Sequence, residues 1–321
     1  MDLFFVLSGC LIYGGLIRRD LPLLTFWRRR ATRIFPTFLV VLGLYLVMMT
    51  ILPATAKFQW TDSGALWLVA ANVLLLPGLF PVTPMITVAW SLSYEWAFYL
   101  FVPLMTKSLR FGGRSAALRV AVLLALAAVL VAAVAAGWTG HSRLLMFPSG
   151  MLLFEVLNSG RLRWRIGRGW EALAIVAFGG ASAVTALSVT DPEMLPAVAR
   201  VGLGQHVFLA AAAFSITLCA MERGTWVSRM VAAAPLRLLG RISFSYYLTH
   251  GLAMHALAKA ITHPGHSVAL FAGLLPLVLA ATVLFGGTVF LAVEEPLSLP
   301  VRSVNRQAAR YLELAATHPP M

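Results

Sequence analysis

The chain has 321 residues, of which 60% are apolar and 12% are charged, and its mean hydropathy is +0.84. Soluble domains have roughly 45–50% apolar and about 25% charged residues, so this composition excludes an ordinary soluble enzyme and a disordered chain. The net charge is +13, but the basic residues form short clusters between apolar runs. That distribution is typical of a protein that crosses a membrane many times, and it argues against a nucleic-acid partner.

Apolar runs that could form membrane-spanning helices follow one another along the whole chain, and each span needs about 20 mostly apolar residues. The candidate runs are Leu3–Ile17, Ile34–Leu52, Gly64–Leu76, Ile86–Met105, Ala116–Ala136, Leu144–Leu157, Ala172–Val189, Val201–Ala220, Ser243–Ile261 and Val268–Val293. We therefore predict one transmembrane domain over residues 1–300 and a cytoplasmic tail over residues 301–321.

Basic clusters favour the cytoplasmic side, so those that separate the runs should share one side of the membrane. They contain Arg18, Arg19 and Arg28–Arg33; Lys107, Arg110, Arg114 and Arg119; Arg161, Arg163, Arg165 and Arg168; Arg223, Arg229, Arg237 and Arg241; and Arg302, Arg306 and Arg310. They share a side only if Gly64–Leu76, which is short and contains Asn72, does not cross. We predict an all-α polytopic bundle of about nine spans and one partial or re-entrant segment, with the amino terminus outside.

The first polar feature is an arginine cluster before the second run. Arg30 and Arg33 are three residues apart and would share one face of a helix. Their planar guanidinium groups suit phosphate oxygens. The alternative is a topology anchor, with Trp27 in the interfacial aromatic belt.

The second polar feature is Glu95, which follows Trp90, Ser91 and Ser93 at the head of a span. A carboxylate within or beside the hydrocarbon is costly, which makes Glu95 a functional candidate. The alternative is an interfacial glutamate solvated among anchoring aromatic side chains.

The third polar feature is a stripe of Ser243, Tyr246 and His250, spaced three and then four residues apart. This stripe could bind a polar substrate or move a proton, or His250 could be a hydrogen-bonded packing residue.

Carboxylates also close the last run, where Glu294 and Glu295 precede Pro296. We expect Pro296 to end the helix, and we expect an arginine to pair with the carboxylates, which the helix dipole disfavours at that end. Arg143 and Glu155 are weaker cases of charges that need a partner. No hydrolase elbow, zinc motif or nucleotide loop is present in the sequence, and no metal is predicted.

The residues Asp2–Ile12 resemble the segment V-D-L-F-F-V-L-S-G-F-L-I of acyltransferase family 3, whose members are integral-membrane acyltransferases that modify sugars, lipopolysaccharides, antibiotics and other acceptors. Similar motifs follow in the family's order over essentially the entire chain. They are R-R-x-x-R-I-x-P at Arg29–Pro36, W-S-L-S-x-E-x-x-F-Y-L at Trp90–Leu100, Arg143 with G-x-x-L at Gly150–Leu153, L-G-x-I-S-[FY]-S-x-Y-L-x-H at Leu239–His250, and V-E-x-P at Val293–Pro296.

The resemblance implies a multi-pass enzyme of the cell (inner) membrane. Such an enzyme moves an acyl group, expected to be acetyl, from acyl-CoA to a hydroxyl of a carbohydrate or another cell-envelope or natural-product acceptor. Arg30 and Arg33 match the family's pair that is tied to acyl-donor binding, and Glu95 and His250 are candidates for the catalytic groups. The other matched motif positions, whose roles stay open, are Asp2, Ser8, Trp90, Ser91, Arg143, Ser243, Tyr246 and Glu294. Acyl-CoA is implied as a substrate, with no bound cofactor.

Family members generally carry a preceding span with an arginine and, later in that span, a histidine taken as the base that deprotonates the acceptor. Because this sequence begins after that point, we expect that Met1 is not the start of the functional protein and that such a span lies upstream. Two alternatives stay open, a catalytically inactive relative and a transporter-like or channel-like protein.

Overall fold

The computed structural model describes residues 1–19, 21–51, 62–137, 139–159, 167–190, 203–222, 224–261 and 268–297. Within these ranges the regular elements are helices, apart from one isolated bridge between Pro77 and Phe80. The α-helices are α1 Asp2–Arg18, α2 Leu23–Ile51, α3 Ala65–Val73, α4 Trp90–Ser108, α5 Ala116–Ala135, α6 Met146–Asn158, α7 Arg168–Thr190, α8 Leu203–Met221, α9 Trp226–Val231, α10 Ala234–Ile261, α11 Val268–Val289 and α12 Glu295–Leu297.

Five helical segments of the described residues are long and apolar enough to cross a membrane. They are Leu23–Ile51, Ala116–Ala135, Arg168–Leu187, Gly204–Met221 and Gly273–Leu297. The prediction of an all-helical membrane protein is confirmed at this level, whereas the nine predicted spans are not. The predicted basic groups at Arg161–Arg165, Arg223 and Arg302–Arg310 and the predicted tail lie outside the described residues.

The exposed surface of the apolar helices indicates contact with lipid. Helix α5 has a mean hydropathy of 2.7 over its most apolar window, yet only 17% of that window is buried. Leu124 and Val129 on this helix are 53% and 65% exposed. Soluble proteins rarely expose contiguous apolar surface of this kind, so a hydrocarbon environment accounts for it.

The described residues divide into two compact units, and the first comprises Met1–Leu21 and Tyr94–Arg237. Its centre is the crossing of α1 and α6, where Gly9 and Gly150 bring the two backbones together. A β-carbon on Gly150 would lie 2.0 Å from the Val6 carbonyl oxygen, so only glycine permits this approach. Stacked rings of Phe98 and Phe147, with centroids 4.2 Å apart, extend the packing.

A buried ion pair lies in the same unit and includes one arginine of the basic clusters. Arg119, counted above among the cytoplasmic anchors, donates from Nε to one Glu155 oxygen at 2.7 Å and from Nη2 to the other at 2.8 Å. The Tyr13 hydroxyl donates to the same carboxylate at 2.7 Å. Because the two charged side chains are only 9% and 2% exposed, they satisfy each other inside the protein.

The second unit comprises Pro22–Ser93 and Leu238–Met321. Helix α2 starts at Leu23, so the arginine cluster lies inside the helix and not before it. Helix α3 has nine residues, about 14 Å at 1.5 Å per residue, which is too short to cross a bilayer. The buried Asn72 side chain donates to the Leu68 and Thr83 carbonyls and accepts from the Met85 N–H.

The chain around Pro296 is helical as far as the structure describes it. After α11 the chain forms a π-helical turn over Phe290–Glu294, and the helical turn α12 follows and contains Pro296. The described residues end at Leu297, one residue beyond Pro296, so the statement that Pro296 ends the helix stays a prediction.

Candidate functional site

Three of the sequence motifs meet around Glu294 in the second unit. The Ser245 hydroxyl of α10 donates to Glu294 Oε2 at 2.5 Å, and the positive charge of Arg33 on α2 interacts with the same carboxylate. Ser245 is fully buried and Glu294 is 8% exposed. The Glu294 carboxylate therefore links the arginine motif of α2 to the serine-rich motif of α10.

Glu295 has an arginine partner of the kind that the sequence predicted for this end of the helix. Arg241 Nη2 lies 3.8 Å from Glu295 Oε1, and its guanidinium carbon lies 5.8 Å from the Phe290 ring centroid. Because both side chains are partly exposed, solvent screens this pair and it contributes little to stability. The buried link at Glu294 is therefore the stronger constraint on the position of α11.

The predicted donor arginines lie in the first turns of α2. Arg33 is exposed and its guanidinium remains open to a ligand, although Glu294 attracts it. Arg30 is half-buried, with its guanidinium carbon 5.4 Å from the centroid of the Phe26 ring. The two guanidinium groups, one helical turn apart, thus lie near an aromatic ring and within the field of a carboxylate, respectively.

Two of the three residues of the predicted stripe on α10, Tyr246 and His250, lie together, and Ser243 does not join them. The rings of Tyr246 and His250 stack with centroids 5.6 Å apart, and the Tyr247 ring lies 5.8 Å from the same imidazole. Ser243 is exposed and donates to the Gly240 carbonyl at 2.8 Å, away from these rings. The buried serine of this motif is Ser245, two residues further on.

The hydrogen bond of His250 determines which ring nitrogen can accept a proton. His250 Nδ1 lies 2.8 Å from the Tyr247 carbonyl oxygen. A carbonyl oxygen only accepts, so Nδ1 carries the hydrogen and, in the neutral ring, Nε2 keeps its lone pair. His250 therefore has the tautomer that a general base needs.

The motif serine Ser91 takes part in a second link within this unit. Tyr247 donates its hydroxyl to the Val88 carbonyl at 2.7 Å, so Ser91, 2.9 Å away, donates to the Tyr247 oxygen. Trp90 at the start of α4 packs against Gly78, whose φ of +91° and close approach to Trp90 both require glycine. These contacts position the start of α4.

Glu95 lies in the first unit and is 4% exposed. The Tyr99 hydroxyl donates a hydrogen bond to Glu95 Oε1, and the Ser8 hydroxyl donates to the same oxygen at 3.4 Å. Hydroxyl donors thus compensate the burial of this carboxyl group. The structure brings together the predicted residues Ser8 and Glu95, which come from different motifs.

Two further polar pairs lie in this unit. Arg143 Nε is 3.7 Å from Asp2 Oδ1, which joins two predicted motif residues. The Tyr94 hydroxyl is 2.9 Å from His141 Nδ1, and burial lowers the pKa of His141 below its ordinary value. Sequence reasoning missed Tyr94 and His141 as a pair, because no spacing relates residues that lie 47 positions apart.

Known proteins resemble this chain in sequence. The family model Acyl_transf_3, described as an acyltransferase domain, matches residues 1–293. Acyltransferase MdmB of Streptomyces mycarofaciens is 26% identical over 326 aligned residues, which cover 92% of this chain and 79% of that protein. An uncharacterized protein of Haemophilus influenzae is 32% identical over 122 residues, which cover 33% of this chain and 47% of that protein. No solved structure matches.

Proposed function

This chain belongs to the Acyl_transf_3 family and is a membrane acyltransferase, and on that premise we propose that it moves an acetyl group from acetyl-CoA to a hydroxyl of a carbohydrate or other cell-envelope or natural-product acceptor. The observation that supports the proposal is the Ser245–Glu294 hydrogen bond, because the charge of Arg33 on α2 also acts on this carboxylate, which connects the arginine motif with the helix that bears His250.

The arginine pair supports a phosphate-bearing donor. Arg30 and Arg33 lie one turn apart near the start of α2, where Arg30 lies over the Phe26 ring and the charge of Glu294 attracts Arg33. Guanidinium groups bind phosphate oxygens with paired hydrogen bonds, and CoA carries a pyrophosphate and a 3′-phosphate. In this proposal the pair binds the CoA phosphates from the cytoplasmic side.

His250 is the residue that we assign as general base. Its Nε2 accepts the proton of the acceptor hydroxyl while that oxygen attacks the thioester carbonyl carbon. A C–O bond forms, the C–S bond breaks, and the proton passes to the departing CoA thiolate. His250 lies five residues after Ser245 on α10, about 7.5 Å along the helix axis.

The donor site is tested with CoA itself as the probe, on the full chain in detergent. Replacing Arg30 and Arg33 together by lysine should weaken CoA binding about tenfold or more, because an ammonium group does not reproduce the guanidinium fork. The matched control replaces Arg28 and Arg29, which are exposed on the same segment, by lysine. Both variants keep the charge that directs membrane insertion. If the variant with lysine at positions 30 and 33 bound CoA as tightly as the wild type, the arginine cluster of α2 would serve only to orient the chain in the membrane.

The chemistry is tested in membrane vesicles with radiolabelled acetyl-CoA, by following label that enters carbohydrate and lipid fractions. His250→Gln should abolish the transfer while CoA binding persists, and His206→Gln on α8 serves as the histidine control. A wild-type chain that binds CoA and transfers no label would be an inactive relative.

We also propose that the chain makes nine spans, with α3 as a re-entrant segment. The shortness of α3 and the helices found at the other predicted runs support this topology. Reporters fused after Arg119 and after Arg168 should read inside, and one near Glu193, which lies outside the described residues, should read outside. An outside reading after Arg119 would refute the re-entrant assignment.

A further inference from the structure

A cavity of about 410 Å³ lies in the first unit, where α1 and α4 both end. Its size is within the range of small-molecule sites. Its lining includes neither Glu95 nor a residue of the Glu294 link, and neither the proposed donor site nor the proposed base uses its residues. What it binds is therefore a question apart from acyl transfer.

The lining of the cavity combines basic and apolar side chains. Arg19, Lys107 and Arg110 supply three cations, and Leu16, Ile17 and Leu21 supply apolar side chains. Among the described lining residues none has a carboxylate, and Asp20 lies outside the described residues. Cationic and apolar side chains in one cavity suit an amphipathic ligand, which has an anionic headgroup and a hydrocarbon chain.

The conformation of Arg110 is a second observation at this cavity. Its φ of 51° and ψ of 44° are left-handed, a region that a residue with a side chain adopts only at an energetic cost. The turn would accept glycine there without strain, and Gly112 and Gly113 follow within the same lining. The chain thus keeps a guanidinium at a position that favours glycine, which points to a role for the guanidinium.

Exposed apolar surface leads along both helices towards the cavity. On α1, Leu11 is 59% exposed and lies two turns before Arg19. On α4, Phe101 and Leu104 are 52% and 44% exposed and precede Lys107 by two turns and one turn. Hydrocarbon chains on these surfaces would place a headgroup at the helix ends, which is where phosphates lie in a bilayer.

We propose that this cavity binds the phosphate headgroup of an anionic phospholipid, with Arg19, Lys107 and Arg110 as its cations and the acyl chains against α1 and α4. A zwitterionic phospholipid presents the same phosphate together with a cation of its own, so the site should select phosphatidylglycerol over phosphatidylcholine. The basic side chains thereby act as a specific lipid site in addition to their effect on topology.

The test is native mass spectrometry of the full chain in detergent, titrated with palmitoyl-oleoyl phosphatidylglycerol or phosphatidylcholine. The wild type should bind phosphatidylglycerol about tenfold more tightly, and Arg110→Gly should remove most of that preference, as expected for the loss of one charge-assisted contact. Arg110→Gly relieves the left-handed strain, so its melting temperature should equal or exceed that of the wild type, which separates lost binding from misfolding.

Arg114→Gln is the matched control, because Arg114 is an exposed arginine of the same turn that does not line the cavity. It should keep the lipid preference. Equal affinity of the wild type for the two lipids, or an unchanged preference in Arg110→Gly, would overturn the proposal. Displacement of bound phosphatidylglycerol by adenosine 3′,5′-bisphosphate would also overturn it and assign the cavity to the nucleotide of the donor. These readouts do not depend on acyl transfer, so their failure is distinct from failure of the proposed function.

Discussion

Replacing Gly286 by alanine tests whether the close packing of α10 and α11 holds the Glu294 link in place. A β-carbon added at Gly286 would lie 2.7 Å from the Tyr246 α-carbon and 3.0 Å from its β-carbon. The first distance is 0.7 Å less than the 3.4 Å at which ordinary contact begins, and the clash is with backbone, which cannot rotate away. The two helices must therefore separate.

The adjacent Gly287 offers a control on the same helix, because a β-carbon there would meet nothing within 4 Å. In each variant alanine gains roughly 1 kcal/mol of helix propensity over glycine. Only Gly286→Ala adds the cost of overpacking, about 1–3 kcal/mol. The difference in unfolding free energy between the two variants should thus be about 1–3 kcal/mol, with Gly286→Ala the less stable.

The separation of α10 and α11 in Gly286→Ala should also disturb the hydrogen bond between Ser245 and Glu294. Tyr246 is next to Ser245, whose bond to Glu294 is 2.5 Å long, and a shift of several tenths of an ångström would weaken it. Unfolding in detergent, followed by tryptophan fluorescence, measures the stability, and CoA binding measures the arginine pair. If Gly286→Ala were as stable as Gly287→Ala and bound CoA equally well, the close approach of α10 and α11 would not support the site.

Asn72→Ala should lower the melting temperature, at a cost of about 1–3 kcal/mol, because the buried N–H of Met85 loses its acceptor. Glu155→Leu should lower the free energy of unfolding by about 3–5 kcal/mol, because Arg119 stays buried without its partner. Adding Arg119→Met should recover most of this loss. Additive effects of the two substitutions in this double-mutant cycle would contradict the ion pair. Because burial lowers the pKa of His141, the folded state binds a proton less readily than the unfolded state, so stability should fall as the pH drops below about 6.5. Melting curves at several pH values should show this decline in the wild type and a flatter one in His141→Gln.

The sequence was sufficient to predict helices where long apolar runs occur. The run Ala116–Ala136 became a helix over Ala116–Ala135, and the short run around Asn72 became a nine-residue helix. These outcomes depend on local composition, because a backbone in hydrocarbon must satisfy its hydrogen bonds within its own segment. Helix ends were less predictable, since polar residues such as the arginines of α2 continue a helix as readily as they flank one.

The partners of the polar residues could not be predicted, because they depend on how distant segments pack. Arg119 looked like one more basic anchor, yet its partner Glu155 lies 36 positions away. Spacing favoured Ser243 as the serine of the α10 stripe, whereas Ser245 faces the buried carboxylate. Helical periodicity gives the residues that share a face, but it does not say which face meets the next helix.

The π-helical turn before Pro296 explains how two adjacent carboxylates reach different partners. A π-turn holds one more residue than an α-helical turn and shifts the register of every residue that follows it. Glu294 closes this turn and accepts from the buried Ser245, whereas Glu295 opens the next helical turn and pairs with the exposed Arg241. Deleting one residue within Phe290–Val293 should restore an α-helical register, rotate Glu294 away from Ser245 and abolish CoA binding. Deleting Leu297 instead removes one residue without changing the register before it, so CoA binding should persist. Loss of binding in both deletions would show that helix length, and not the π-turn, sets the geometry of the site.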